Sequence, residues 1–165
     1  MRPKRIRSGI FLILLLSMGV TALLAEALVA SGPPDFSGTW VLNVYRSEFA
    51  GERPPQSKVQ QVEHKGTELA VTIDEINDRG TVHGVVRYTT DGQDAVNDVL
   101  GFPMTASISW EGAVMIMRTW GRFGNGDIML IDRWSLSPDG QTLTIARQFQ
   151  GRGRIVDQTF VFDRQ

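Results

Sequence analysis

After Lys58 the chain almost never runs more than about ten residues without a turn that contains glycine, and between those turns apolar and polar residues alternate. Alternation puts every second side chain on one face of an extended strand, and so short a repeat leaves no room for a long helix. The turns read Gly66-Thr67, Glu75 to Gly80, Asp91-Gly92, Glu111-Gly112, Gly124-Asn125-Gly126, Asp139-Gly140 and Gly151-Arg152-Gly153. They bound strand-like runs at Lys58 to Lys65, Glu68 to Asp74, Thr81 to Thr90, Ala95 to Leu100, Thr105 to Trp110, Ala113 to Arg122, Asp127 to Ser137, Gln141 to Gln150 and Arg154 to Asp163.

Strands joined by so few residues pair as antiparallel hairpins, and Asn125-Gly126 supplies the positive backbone angles of a type I′ turn. One further strand comes earlier, in Asp35-Phe36-Ser37-Gly38-Thr39-Trp40-Val41-Leu42-Asn43, running on to about Tyr45. Here Trp40, Leu42 and Val44 share one face, Gly38 lets the backbone approach a neighbour closely, and the Trp40 indole plugs one end of the sheet. Residues Arg46 to Ser57, with Gly51, Pro54 and Pro55, form a loop expected to hold a short helical turn near Ser47 to Ala50. The prediction is an all-β chain, an antiparallel up-and-down barrel of about 8–10 strands, because a Greek-key sandwich needs long crossovers that these turns do not supply.

The start of the chain is different in kind. Arg2, Lys4, Arg5 and Arg7 precede an uncharged apolar run from Ile10 to Ala25, with small residues after it. This is the pattern of a secretory signal peptide, residues 1–30, cleaved after Ala27 or Ala30, which leaves residues 31–165 as a single domain in the periplasm or outside the cell. The rival reading is a retained anchor, for which the apolar run is shorter than the roughly twenty residues a spanning helix needs. After cleavage no stable membrane insertion is expected.

Removing the leader leaves 13 basic and 17 acidic residues, a net charge of −4, with no clustered basic patch to favour nucleic acid. The absence of cysteine removes disulfides and the usual site for a lipid at the cleavage point. Two histidines, His64 and His83, are too few for a tetrahedral metal site without carboxylates, and Asp74, Asn77 and Asp78 lack calcium-loop spacing. No serine sits in a Gly-x-Ser-x-Gly elbow. Neither cofactor nor metal is expected, and no catalytic constellation emerges, so the chain reads as a non-enzyme.

Phe36-Ser37-Gly38-Thr39-Trp40-Val41-Leu42 resembles the opening strand of the calycins, meaning lipocalins and fatty-acid-binding proteins, in which a Gly-x-Trp tripeptide sits at the closed end of the barrel. Small secreted bacterial proteins that open on Asp-Phe-Ser-Gly-Thr-Trp are similar too. The resemblance implies an interior that holds an apolar ligand. Thr144-Ile145-Ala146-Arg147 is also similar to a fatty-acid-binding strand whose arginine meets the ligand head group. The sequence departs from that type at Phe160-Val161-Phe162, where an Arg-x-Tyr would stand, and residues 46–57 leave no room for a helical lid.

Four arginines fall within strands, at Arg87, Arg118, Arg133 and Arg147. An arginine inside a barrel needs acceptors, because an unpaired buried charge costs several kcal/mol. Arg118 shares its face with Val114, Ile116 and Trp120, and Arg147 shares its face with Leu143, Ile145 and Phe149. Both are candidate interior anchors, for a ligand carboxylate or for a protein partner such as Asp132, whose face carries Ile128, Leu130 and Trp134. Trp120, Trp134, Phe149, Phe160 and Phe162 are candidates for an apolar lining, and Gly38 and Trp40 for closing the barrel. Two functions remain open. One is a secreted or periplasmic, lipocalin-like binding protein for a small apolar or amphipathic ligand, anionic ones included; the other is an envelope domain with a filled interior that binds another protein. A cavity of at least about 300 Å³ separates them.

Overall fold

The computed structural model describes residues 32–99 and 101–165, and Gly32–Gln165 form one compact unit. The leader expected at residues 1–30 and the strand end expected at Leu100 lie outside the described residues. The strands are β1 (Gly38–Leu42), β2 (Ser57–Lys65), β3 (Glu68–Asn77), β4 (Gly80–Thr89), β5 (Ala95–Val99), β6 (Phe102–Glu111), β7 (Val114–Phe123), β8 (Gly126–Leu136), β9 (Thr142–Gly151) and β10 (Arg154–Arg164). All pairings are antiparallel, in the order β4-β3-β2-β1-β10-β9-β8-β7-β6-β5, so β1 closes the meander against β10 through Trp40 opposite Arg164 and Leu42 opposite Phe162. This is the expected up-and-down barrel, nearly closed, with a single seam between β4 and β5 in the sheet order.

At that seam a side chain does the work of a strand. The Asn97 carboxamide accepts from the Arg87 backbone N–H at 2.8 Å and donates to the Arg87 carbonyl at 2.9 Å. One amide thus imitates the two-bond pairing of an antiparallel ladder where no ladder forms.

Three local expectations change. The helical turn expected near Ser47 to Ala50 is a 3-10 turn at Val44–Arg46, and β1 ends at Leu42 rather than near Tyr45. Asn43 causes this: its side-chain oxygen accepts from the Arg46 N–H at 3.2 Å, a local bond that competes with the strand ladder. Tyr45 is left fully exposed. In the β7–β8 turn the positive φ falls on Gly124 (63°), with Phe123 paired to Gly126, so glycine occupies the first central position, as a type II′ turn requires.

One end of the barrel is filled. Phe36, Trp40 and Phe162 are fully buried there with Val62, Leu69, Ile108, Met115 and Leu143. Trp40 donates from Nε1 to the Phe36 carbonyl at 2.9 Å, and the Arg164 guanidinium lies 4.2 Å from its ring centroid while bonding the Ser37 and Gly140 carbonyls at 2.8 Å each. Gly38 is needed because a Cβ there would collide with that guanidinium, and its φ of 146° is one that other residues rarely adopt.

Candidate ligand cavity

Above the packed floor the strands enclose a cavity of about 730 Å³. Its walls include Val71, Ile73, Val86, Met104, Met117 and Phe149, which alternation on β3, β4, β6, β7 and β9 turns inward. Arg79, Arg152 and Arg154 stand on the turns β3–β4 and β9–β10 or beside them, and give one part of the lining a basic character.

Within this apolar wall lie two ion pairs. Register places Asp132 on β8 opposite Arg147 on β9, and Arg147 donates from Nε and Nη2 to the two carboxylate oxygens at 2.7 Å each, a bidentate fork. Asp132 is 7% exposed and Arg147 28%, the latter toward the cavity it lines. Burial works against the Arg147 charge, but Asp132 outweighs it and holds the guanidinium more firmly protonated than usual. On the opposite side of the sheet order, register places Lys58 on β2 opposite Glu75 on β3, with Nζ 2.9 Å from Oε2. Asn77 donates to the other Glu75 oxygen at 2.8 Å. Burial tends to raise the Glu75 carboxyl, yet Lys58 and the Asn77 bond prevail and hold it below its ordinary value. The Lys58 ammonium is pushed down, first by burial and then by the Arg147 charge. Both cations flank Phe160, with Arg147 at 5.3 Å and Lys58 at 5.8 Å from the ring centroid.

Tyr88, on β4, also lines the cavity, and its phenol is pushed up to about 12 by burial, with the Asp132 charge adding to the effect. The unfolded chain gives up this proton near pH 10, before the folded one does. Stability from the buried phenol is therefore intact below pH 10 and falls by about 2–3 kcal/mol as pH rises toward 12. Tyr88→Phe is expected to flatten urea-denaturation stability across that window by this amount; equal slopes for the two proteins would place the phenol in water.

The sequence candidates divide. Arg147, Trp134 and Phe149 line the cavity; Phe160 stands between the two cations, and Phe162 lies in the packed floor. Arg118 and Trp120 are corrected. Met117 and Thr119 line the cavity, so the alternate residues Arg118 and Trp120 lie on the outer face, where Arg118 is exposed and donates to Ser109 Oγ at 3.2 Å. The reason is that both faces of β7 are apolar, and alternation separates the two sets without saying which turns inward. Arg147 is inside but has Asp132 as its partner, the alternative the sequence left open. His64 packs against Phe36 and Trp110 at the closed end, whereas His83 is exposed beside Asp74 at 2.7 Å. Asp78 pairs with Arg53 at 3.3 Å, apart from Asp74, and no metal-holding cluster of three His, Cys, Asp or Glu occurs among the described residues.

Lys58, Glu75, Tyr88 and the basic turn residues were not singled out in the sequence. A signal existed for the first pair: pairing β2 with β3 through the tight Gly66 turn sets Lys58 beside Glu75, and on β2 Lys58 shares its face with Gln60 and the buried Val62.

Comparison with known proteins places the architecture. No protein-family model and no curated protein sequence matches the chain. Solved structures do match. A secretory abundant heat soluble protein of Ramazzottius varieornatus superposes with a TM-score of 0.58 at 11% identity, covering 78% of this chain and 94% of that one. Lipid binding protein 8 of Caenorhabditis elegans gives 0.57 at 12% identity over 79% and 95%. The fatty-acid-binding protein of Manduca sexta gives 0.53 at 13% identity over 78% and 98%. With its ten-stranded meander, its seam and its tryptophan-closed floor, the chain has the calycin fold of the fatty-acid-binding type.

Proposed function

We propose that the protein is an exported carrier of a small apolar or amphipathic molecule, held in the barrel interior. The observation that carries this reading is the cavity of about 730 Å³ walled by Val, Ile, Met and Phe side chains, within the range of small-molecule sites. A barrel filled by its own side chains, as the envelope-interaction reading requires, would leave no such space. Solved structures of similar fold are named as lipid-, fatty-acid- and bile-acid-binding proteins, which supports binding rather than catalysis. Export is supported by the basic start and apolar run of residues 1–25.

One measurement tests carriage and export together. Native mass spectrometry of the protein recovered from the exported fraction of the cells that make it is expected to show a chain beginning between about Leu28 and Gly32, with an apolar molecule released on unfolding. A bare chain that also fails to bind an uncharged apolar dye at micromolar concentration would overturn the carrier, and an intact Met1 start in the membrane fraction would overturn the export.

A further inference from the structure

The chain draws its positive charge almost entirely from arginine, 14 residues against three lysines, Lys4, Lys58 and Lys65. Lys65 is on the surface, 80% exposed in its side chain, whereas Lys58 lines the cavity and is 17% exposed. For a buried pair with a carboxylate, arginine is the better residue, since its planar fork makes two bonds, as Arg147 does with Asp132. What lysine can do and arginine cannot is lose a proton and attack a carbonyl carbon. Lysines made reactive in this way are desolvated in apolar pockets or set beside a second cation, and both conditions hold at Lys58.

The charges inside the cavity also limit what may enter. Arg147 is matched by Asp132 and Lys58 by Glu75, so a ligand carboxylate set against these two pairs, away from the basic turn residues Arg79, Arg152 and Arg154, would add a third negative charge to two cations already paired. A neutral carbonyl adds none.

We propose that Lys58 is a reversible covalent anchor, and that the cavity takes an apolar aldehyde whose carbonyl carbon condenses with Nζ to give a protonated imine beside Glu75. This rests on the carrier reading of the cavity. Lys58 passes a proton to Glu75, 2.9 Å away, and the freed amine forms the C–N bond as the carbonyl electrons move to oxygen. That oxygen takes the proton back to give a carbinolamine. A second proton, from nitrogen, leaves with the hydroxyl as water, and the C=N bond forms. One ammonium and one aldehyde become one iminium and one water. The positive charge is unchanged, with Glu75 as its counter-ion and the Phe160 ring flanking it as before.

The test uses decanal as the probe aldehyde, sodium cyanoborohydride to reduce and trap the imine, and an uncharged apolar dye to report the cavity separately. The expected result is that the dye binds, decanal displaces it, and peptide mapping finds one decyl group on Lys58 at a level at least about tenfold above Lys65. Lys58→Arg keeps the charge and should lose the label at position 58. Mapping on the unaltered protein stands even if that variant folds poorly. Dye binding with the label on Lys65 or the N-terminal amine and none on Lys58 overturns the covalent anchor and leaves the carrier standing. Absence of both dye binding and Lys58 labelling overturns both.

Discussion

Trp40→Ala is expected to lower the unfolding free energy by about 3–5 kcal/mol, the range for deleting a large aromatic from a packed core. The effect should lie toward the upper end, because more than apolar area is lost. The indole N–H satisfies the Phe36 carbonyl, and the ring is the platform on which Arg164 lies while it ties Ser37 to Gly140. Alanine would leave that carbonyl short of a donor and the guanidinium without its platform, at the point where β1 meets β10. Urea titration followed by far-UV circular dichroism measures the change, and a loss below about 1 kcal/mol would mean that the closed end repacks without the indole.

Asp132→Asn should have a comparable effect for a different reason. The substitution keeps size and shape and removes only charge, so it leaves Arg147 in a largely apolar wall with no counter-ion, a change that costs about 3–5 kcal/mol. The variant should also gain affinity for an anion relative to the natural protein. With Asp132 neutral, decanoate becomes the best available partner for the guanidinium, and at a hundredfold excess over its dissociation constant it should restore about 2.7 kcal/mol. Decanol, which fills the same space without charge, should restore less. Urea midpoints of both proteins with each additive measure this, and a variant indifferent to decanoate would show that Arg147 finds its compensation elsewhere.

The strands were legible because turn chemistry and two-residue alternation are local, and the β8 and β9 runs needed only their Asp139-Gly140 turn to fix which side chains meet. Asp132 could be named as a partner for Arg118 or Arg147 because its own strand face is otherwise apolar, and the register across that turn is what sets it opposite Arg147. Arg118 was not decidable in this way. Met115, Met117 and Thr119 on one face of β7 and Ile116, Arg118 and Trp120 on the other are near enough in apolar character that a choice between them requires the barrel's curvature, which depends on all ten strands. The end of β1 was missed for a still more local reason: the bond from the Arg46 N–H to the Asn43 side chain competes with the strand at a position where alternation continues through Val44 and Tyr45. Lys58 was passed over because a single lysine next to a proline-containing loop looks like solvent-facing decoration until β2 is paired with β3.

The Asn97 clamp has a consequence for how the molecule meets copies of itself. A fully laddered barrel has no free strand edges, but a seam leaves two, and an unpaired edge with apolar neighbours is a template on which another chain can add a strand. The edges here are of that sticky kind, since Val85 on β4 is 45% exposed and Val96 on β5 is 69% exposed. By taking up both the N–H and the C=O of Arg87, Asn97 withdraws from β4 the very pair of groups that an incoming strand would use to register itself. The amide that draws the seam together is thus also what keeps each barrel from offering this pair of β4 groups to its neighbour's edge.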